Sequence, residues 1–229
     1  MKNYLFIALV SLGFMAFAQN KNSLEGVYVS KTGDILQLWL FIEDYSSQIS
    51  YKDNEYISTS GGRFQFENDK LAINLEYNDA DNTQVGQNKI YELRFEGANF
   101  KDKEGNLWMK QPTNKQDLDG AWKITGRMQD GKLTEIHQKG ERKTLKLLVG
   151  GHFQWIAFDP SIKGFYGTGG GIYKFENGKY IETIQFFSRD NSRVGASLSF
   201  DGEIKNGDWH HGGLSSKGDP IHEIWSKIR

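Results

Sequence analysis

The chain has 229 residues, a formal charge of −1 and no cysteine. It therefore carries no disulfide and no lipid-bearing cysteine, and its charge balance offers nothing to attract nucleic acid or an anionic bilayer. Twenty-six glycines, three prolines and 14 % aromatic residues, with no long 3.6-residue period, point to an all-β chain of short strands and tight turns.

Residues 1–18 read as a secretory signal, with Lys2 as the positive start, Tyr4 to Phe17 as the apolar run and Ala16-Phe17-Ala18 as a small-x-small cleavage site before Gln19. The run is too short to span a bilayer comfortably, and no second one follows. This predicts cleavage near Ala18-Gln19 and an exported protein, periplasmic or secreted, with no integral membrane segment once mature. Past the signal, Leu36-Gln37-Leu38-Trp39-Leu40 alternates with the period of a strand, and its leucines share one face. Turn signals recur at short intervals: Lys31-Thr32-Gly33-Asp34, Asp53-Asn54, Glu67-Asn68-Asp69, Glu104-Gly105-Asn106, Glu176-Asn177-Gly178 and Lys205-Asn206-Gly207-Asp208. The polar stretch Gln111 to Asp119 reads as a linker.

Beyond that linker the chain repeats itself. Residues 36–100, moved forward by 109 positions, fall without a gap on 145–209. Within 61–86 against 170–195 there are ten identities in twenty-six positions. The expected organisation is residues 1–18 as signal peptide, 19–112 as a first barrel and 113–229 as a second. Each is a small antiparallel up-and-down β-barrel of about eight strands, the number at which a sheet can close and lose its edges. Gly167-Thr168-Gly169-Gly170-Gly171 is no phosphate loop, because no helix and no Lys-Ser/Thr follow it; Gly61-Gly62 at the matching place marks a strand bend.

The ends of each copy carry a second pattern. Leu24-Glu25-Gly26-Val27-Tyr28 and Leu118-Asp119-Gly120-Ala121-Trp122 open the copies, while Leu107-Trp108-Met109-Lys110 and Ile224-Trp225-Ser226-Lys227 close them. A Gly-x-Trp on the first strand and a basic residue late in the last strand resemble the signature of the lipocalin and calycin barrels. The chain as a whole resembles tandem secreted lipocalin-like domains of unknown function from Gram-negative bacteria. The resemblance implies that Trp122 plugs one barrel end beneath Lys227 or Arg229, by cation–π attraction, with Tyr28 and Lys110 as the weaker counterpart.

Matched positions that differ in polarity point to a site in the second copy. In the first, Leu71, Ile73, Leu75 and Tyr77 alternate onto an inner face; in the second, the same register gives Tyr180, Glu182, Ile184 and Phe186. Glu182 in place of Ile73 sets a carboxylate inside a barrel, where it needs a partner, a water or a ligand. His152 stands opposite Glu43, and His210 and His211 opposite Lys101 and Asp102. If Trp209 faces inward, so does His211; if Ile224 does, so does His222, leaving the choice between His222 and Glu223 open. The candidate ligand-binding residues are Glu182, His152, Trp155, Tyr173, Tyr180, Trp209, His210, His211, His222 and Glu223.

Two classes of function fit. One is a binding module whose second barrel holds a small apolar or amphipathic molecule. The other is an enzyme in which Glu182 with His211 or His222 forms an acid–base pair. A structural network around Glu182, in a filled accessory module that binds a partner, is the plainer alternative. The sequence shows no Gly-x-Ser-x-Gly, no His-Glu-x-x-His and no thiol nucleophile. No metal-ligand motif and no cofactor is expected, with zinc or haem as the alternatives that two histidines and a carboxylate suggest.

Overall fold

The computed structural model describes residues 24–228, apart from 54, 130, 137–138 and 215–217; the segment expected to be a signal peptide and Arg229 lie outside the described residues. The first half contains β1 (Gly26–Thr32), β2 (Ile35–Ile42), β3 (Tyr45–Lys52), β4 (Glu55–Glu67), β5 (Lys70–Asn78), β6 (Asn88–Glu92), β7 (Arg94–Glu96), β8 (Asn99–Lys101) and β9 (Leu107–Lys110). Successive strands pair antiparallel, and β9 returns to β1. Strands β6 and β7 are one strand interrupted at Leu93: its first part pairs with β5 and its second with β8. The sheet thereby closes into a barrel.

The second half repeats the plan with β10 (Gly120–Gln129), β11 (Lys132–Glu135), β12 (Lys143–Val149), β13 (His152–Asp159), β14 (Gly164–Glu176), β15 (Lys179–Phe187), β16 (Ser197–Lys205), β17 (Asp208–Leu214) and β18 (Pro220–Lys227). Here β18 closes on β10, and β11 is a flap that among the described residues pairs with β10 alone. The chain is thus a tandem of two antiparallel β-barrels. Tight hairpins set the register: Asn68 and Asp69, and likewise Asn177 and Gly178, take the positive φ angles of a two-residue turn. Even a short 3₁₀ turn is duplicated, with Asp81 accepting from the Thr83 amide in one barrel and Asp190 from the Ser192 amide in the other. Among the described residues no helix is long and apolar enough to cross a membrane.

A β-bulge in each barrel divides the long strands between two cores. Pairing slips between Gly61 and Gly62, where they meet Tyr77 and Leu75, and again between Gly170 and Gly171, where they meet Phe186 and Ile184. The glycines are required: a Cβ on Gly62 would sit 1.9 Å from the Asn74 carbonyl oxygen, and one on Gly171 2.1 Å from that of Thr183. The extra residue reverses the alternation beyond it. Tyr77 and Phe186, placed by simple alternation on the inner face, therefore leave the barrel interiors and join a core between the barrels.

That shared core unites the leucine face of β2 (Leu38, Leu40) with its counterpart on β12 (Leu145, Leu147). Contacts across it are reciprocal. Tyr77 packs on Phe158 with ring centroids 4.9 Å apart, and the equivalent Phe186 packs on the equivalent Tyr51 at 5.4 Å. The arrangement has the form of an isologous interface, in which one patch meets its own copy. At its centre fully buried Gln154 donates to Thr59 at 3.1 Å and to the matching Thr168 at 3.0 Å. At one edge Lys143 reaches Glu76 at 2.9 Å.

Strand pairing also corrects the gapless match of the two copies. Ile42 pairs with Tyr45 where Val149 pairs with His152, so β2 and β3 match β12 and β13 with an offset of 107 rather than 109. The two missing positions lie in the connection after β3, which joins Lys52 to Glu55 but Asp159 to Gly164. His152 therefore corresponds to Tyr45, not Glu43, and Lys146 corresponds to Trp39.

Candidate functional site: a buried polar cluster in the second barrel

Each barrel has its own interior. In the first it is almost wholly apolar: Trp39 packs against Tyr91 at 4.9 Å, Trp108 at 4.9 Å and Phe100 at 5.9 Å, with Phe41, Leu71, Ile73 and Leu75 around them. In the second, Lys146 occupies the place of Trp39. Its Nζ lies 4.8 Å from the ring centroid of Tyr180, 5.1 Å from Trp209, 5.4 Å from Trp225 and 5.9 Å from Phe200. Three of these rings stand where Tyr91, Phe100 and Trp108 stand in barrel one. A tryptophan among aromatic rings has been exchanged for a cation among aromatic rings, a contact the ring quadrupoles favour.

The charge is matched by Glu182, which stands where barrel one has Ile73. Both side chains are buried, at 7 % and 10 % exposure, and Lys146 Nζ is 3.7 Å from Glu182 Oε2. That separation allows Coulomb attraction but exceeds a direct hydrogen bond, and the buried Oε2 has no hydrogen-bond partner. Pairing of β15 with β14 and β16 sets Glu182 across from Tyr173 and Leu198. The Tyr180 hydroxyl, two residues away, is also buried and makes no hydrogen bond of good geometry; burial first, then its charge and polar interaction with the neighbouring Glu182 carboxylate, pushes its pKa well above the phenol range.

His211 and Glu223 complete the cluster from β17 and β18, where they face each other in register. His211 is 2 % exposed and packed among Phe200 at 4.3 Å, Trp209 at 5.0 Å and Tyr180 at 5.5 Å. Its Nδ1 lies 3.4 Å from Glu223 Oε2, an ion-pair distance without hydrogen-bond alignment, and neither ring nitrogen has a hydrogen-bond partner. Burial, then the Lys146 charge, lowers the imidazole pKa to about 4. Glu223 accepts from Trp225 Nε1 and from Arg127, each at 3.2 Å. Burial would raise its carboxyl, but His211, Lys146 and Arg127 outweigh that and hold it at about 2. At neutral pH, then, His211 is uncharged and Glu223 is an anion.

Of the residues expected to form a site, Glu182, Tyr180, Trp209, His211 and Glu223 come together, with Tyr173 alongside, its ring 5.6 Å from Tyr180. Tyr173 itself is committed to Asp119, to which its hydroxyl donates, and burial with that carboxylate raises its pKa. Trp155 borders the same interior, and His152, His210 and His222 lie elsewhere. His152 shares a face of β13 with Gln154 and Ile156, on the side turned to the first barrel. Trp155, partly buried against the barrel-two interior, also packs on Phe187 at 5.5 Å. His210 and His222 are on the outer wall, since Trp225 rather than Ile224 faces inward and carries Glu223 in with it, while Leu107 at the start of β9 is 40 % exposed. Burying an indole outweighs burying an isoleucine at the strand end. His211 and His222 thus point to opposite sides of the sheet, and the zinc- or iron-like set of Glu182 with both histidines does not form. Among the described residues no three His, Cys, Asp or Glu group as metal ligands.

Lys146 is the residue sequence reasoning missed. Its signal was present, since a lysine alternating with leucines that turn out to face another core must point into the barrel. At the barrel ends, Lys227 Nζ lies 5.2 Å from the Trp122 ring and Lys110 Nζ 5.5 Å from that of Tyr28, while Trp122 Nε1 donates to Leu118 O at 2.8 Å.

No family model matches the chain, and no curated protein does. Among solved structures it is similar to an uncharacterized protein from Bacteroides eggerthii, with 17 % identity over 49 % of this chain and 100 % of that one and a TM-score of 0.34.

Proposed function

We propose that this is an exported, lipocalin-like protein whose second barrel binds a small amphipathic molecule, while the first is a filled partner that braces it. The observation that carries the reading is the exchange of Trp39 and Ile73 for Lys146 and Glu182 at matched interior positions, with a buried Glu182 oxygen left unpartnered. A buried charged group without a hydrogen-bond partner costs more than the buried indole N–H of Trp39 in the first barrel, which also lacks one, so the second barrel is spending stability on something else. Lys146 and Glu182 balance inside the barrel, and Glu223 is met by the half-exposed Arg127. The favoured head group is therefore neutral: a hydroxyl or amide that donates to Glu182 and accepts from Lys146, with an apolar body among Tyr180, Trp209 and Phe200.

The test is a thermal-shift screen of the protein and of a Lys146→Met/Glu182→Ile double variant against long-chain alcohols, monoacylglycerols, primary amides and hydroxylated aromatics. A ligand that binds only the folded state raises the melting temperature by mass action. A shift seen in the native protein and lost in the double variant is expected. Shifts of equal size in both proteins, or none in either, would remove the site.

The acid–base reading retains one pair, Glu182 with His211, since His222 faces away. A neutral His211 has the protonation state of a general base. A screen hit that is chemically altered on incubation, with turnover abolished by His211→Phe, would convert the binding site into an active site.

A further inference from the structure

The two histidines excluded from the barrel interior meet on its outer wall. His210 on β17 and His222 on β18 are diagonal neighbours, because His210 pairs with Ile224 and Gly212 with His222. Both project from the face opposite Trp209, His211 and Trp225. His210 Nδ1 and His222 Nε2 are 3.4 Å apart, and the rings stand at 63° with centroids 5.7 Å apart. A hydrogen bond between imidazole nitrogens is normally shorter, at about 2.7–3.2 Å, so the rings approach without closing a good one.

We infer that His210 and His222 form a two-histidine clamp for a borderline divalent transition ion, Cu2+ or Zn2+, on the outside of the second barrel. Two nitrogens each about 2.0–2.1 Å from a tetrahedral ion stand about 3.4 Å apart, which is the separation observed. One ring presents Nδ1 and the other Nε2, and among the described residues neither nitrogen has another hydrogen-bond partner. Glu203 of β16 is directly opposite His210 in the ladder, so a carboxylate stands on the neighbouring strand, although in this structure it is held by Lys205 at 2.6 Å. A groove of about 600 Å3 runs over these strands, lined by Asp201, Glu203, His210, Gly212, Ile221 and His222. Its glycines keep the backbone low beside the rings, leaving space for an ion with water or an exogenous ligand in the remaining positions. The set is too small for a closed structural site, and no three ligands group there among the described residues; it is an open clamp. Imidazole donors suit zinc and copper, and Cu2+ binds such sites more tightly than Zn2+.

The experiment titrates purified, metal-free protein with Cu2+ and with Zn2+ by calorimetry, alongside His210→Gln, His222→Gln and, as an interior control, His211→Phe. The native protein should take up one ion with Cu2+ tighter than Zn2+. Each clamp variant should weaken Cu2+ binding at least tenfold, and the control should leave it unchanged. Circular dichroism establishes that the clamp variants are folded, as expected for outward-facing residues. Electron paramagnetic resonance of the Cu2+ form should show nitrogen hyperfine structure from two imidazoles, reduced to one in either variant. Absence of one-to-one binding, or binding unchanged in both clamp variants, or a spectrum with a single nitrogen in the native protein, would overturn the assignment.

Discussion

Barrel one and barrel two share strands, bulges, hairpins and even a 3₁₀ turn, yet they solve the problem of filling a barrel in opposite ways. Where the first inserts Trp39 and Ile73 into a ring of aromatic side chains, the second inserts Lys146 and Glu182 into an equivalent ring. Both solutions bury the indole of the last strand and give its N–H an acceptor: Asp102 receives Trp108 Nε1 at 3.0 Å, and Glu223 receives Trp225 Nε1 at 3.2 Å. The framework therefore demands an acidic residue near that tryptophan, but it does not demand the lysine, the second carboxylate or the histidine. Those three are what the second barrel adds, and the contrast separates the chemistry of support from the chemistry of the site.

The sharpest way to break the comparison is to remove half of the added pair. Lys146→Met leaves Glu182 buried without its cation, and urea denaturation should show a loss of about 3–5 kcal/mol. A similar loss, about 3–5 kcal/mol, is expected from Phe158→Ala in the core between the barrels. Because that core belongs to both halves, the transition should stay single; two separated transitions would show that the barrels unfold independently.

Acid should act on the second barrel first. His211 is held near pH 4 when folded, below its ordinary 6.5, so the unfolded chain takes up the proton first. Its contribution is complete above pH 6.5 and is lost as the pH falls toward 4, about 3 kcal/mol in all. Glu223, held near 2 from an ordinary 4.5, adds a further loss as the pH falls from 4.5 toward 2. In His211→Phe the slope of stability between pH 6.5 and 4 should flatten.

The bulges offer a smaller effect, and one that should be equal in the two barrels. Gly62→Ala and Gly171→Ala both drive a Cβ into a carbonyl oxygen, and each should cost about 1–3 kcal/mol. The smallest effect is expected from Arg127→Ala. Its side chain is half exposed where it meets Glu223, and such pairs contribute about 0–1 kcal/mol.

The duplication, the all-β class and the eight-strand ring were legible because turn residues and period-2 alternation are local signals. So was the anomaly of Glu182 against Ile73, which lies where the repeat runs without a gap. Three features were not. The bulges reverse which side Tyr77 and Phe186 face, and a pair of glycines marks a bend without saying which way alternation resumes. The longer connection after β13 shifts β12 and β13 by two positions, which keeps the face but changes the partner: the gapless offset of 109 aligns Lys146 with Gln37, whereas the strands align it with Trp39. The core between the barrels supplies a second apolar side to the sheets, so the leucines of β2 and β12 face another barrel rather than their own interior. With one apolar face taken as the inside, alternation with Leu145 and Leu147 alone places Lys146 on the outside.

A polar cluster kept for a ligand rather than for the fold should be dispensable to stability, and Lys146→Met/Glu182→Ile measures that. Replacing a buried ion pair by apolar side chains of similar volume is often neutral or stabilising by about 1–4 kcal/mol. Urea unfolding of the double variant should therefore give a stability equal to or above that of the native protein. A double variant weaker than the native protein by several kcal/mol would contradict the account and make the cluster a structural network.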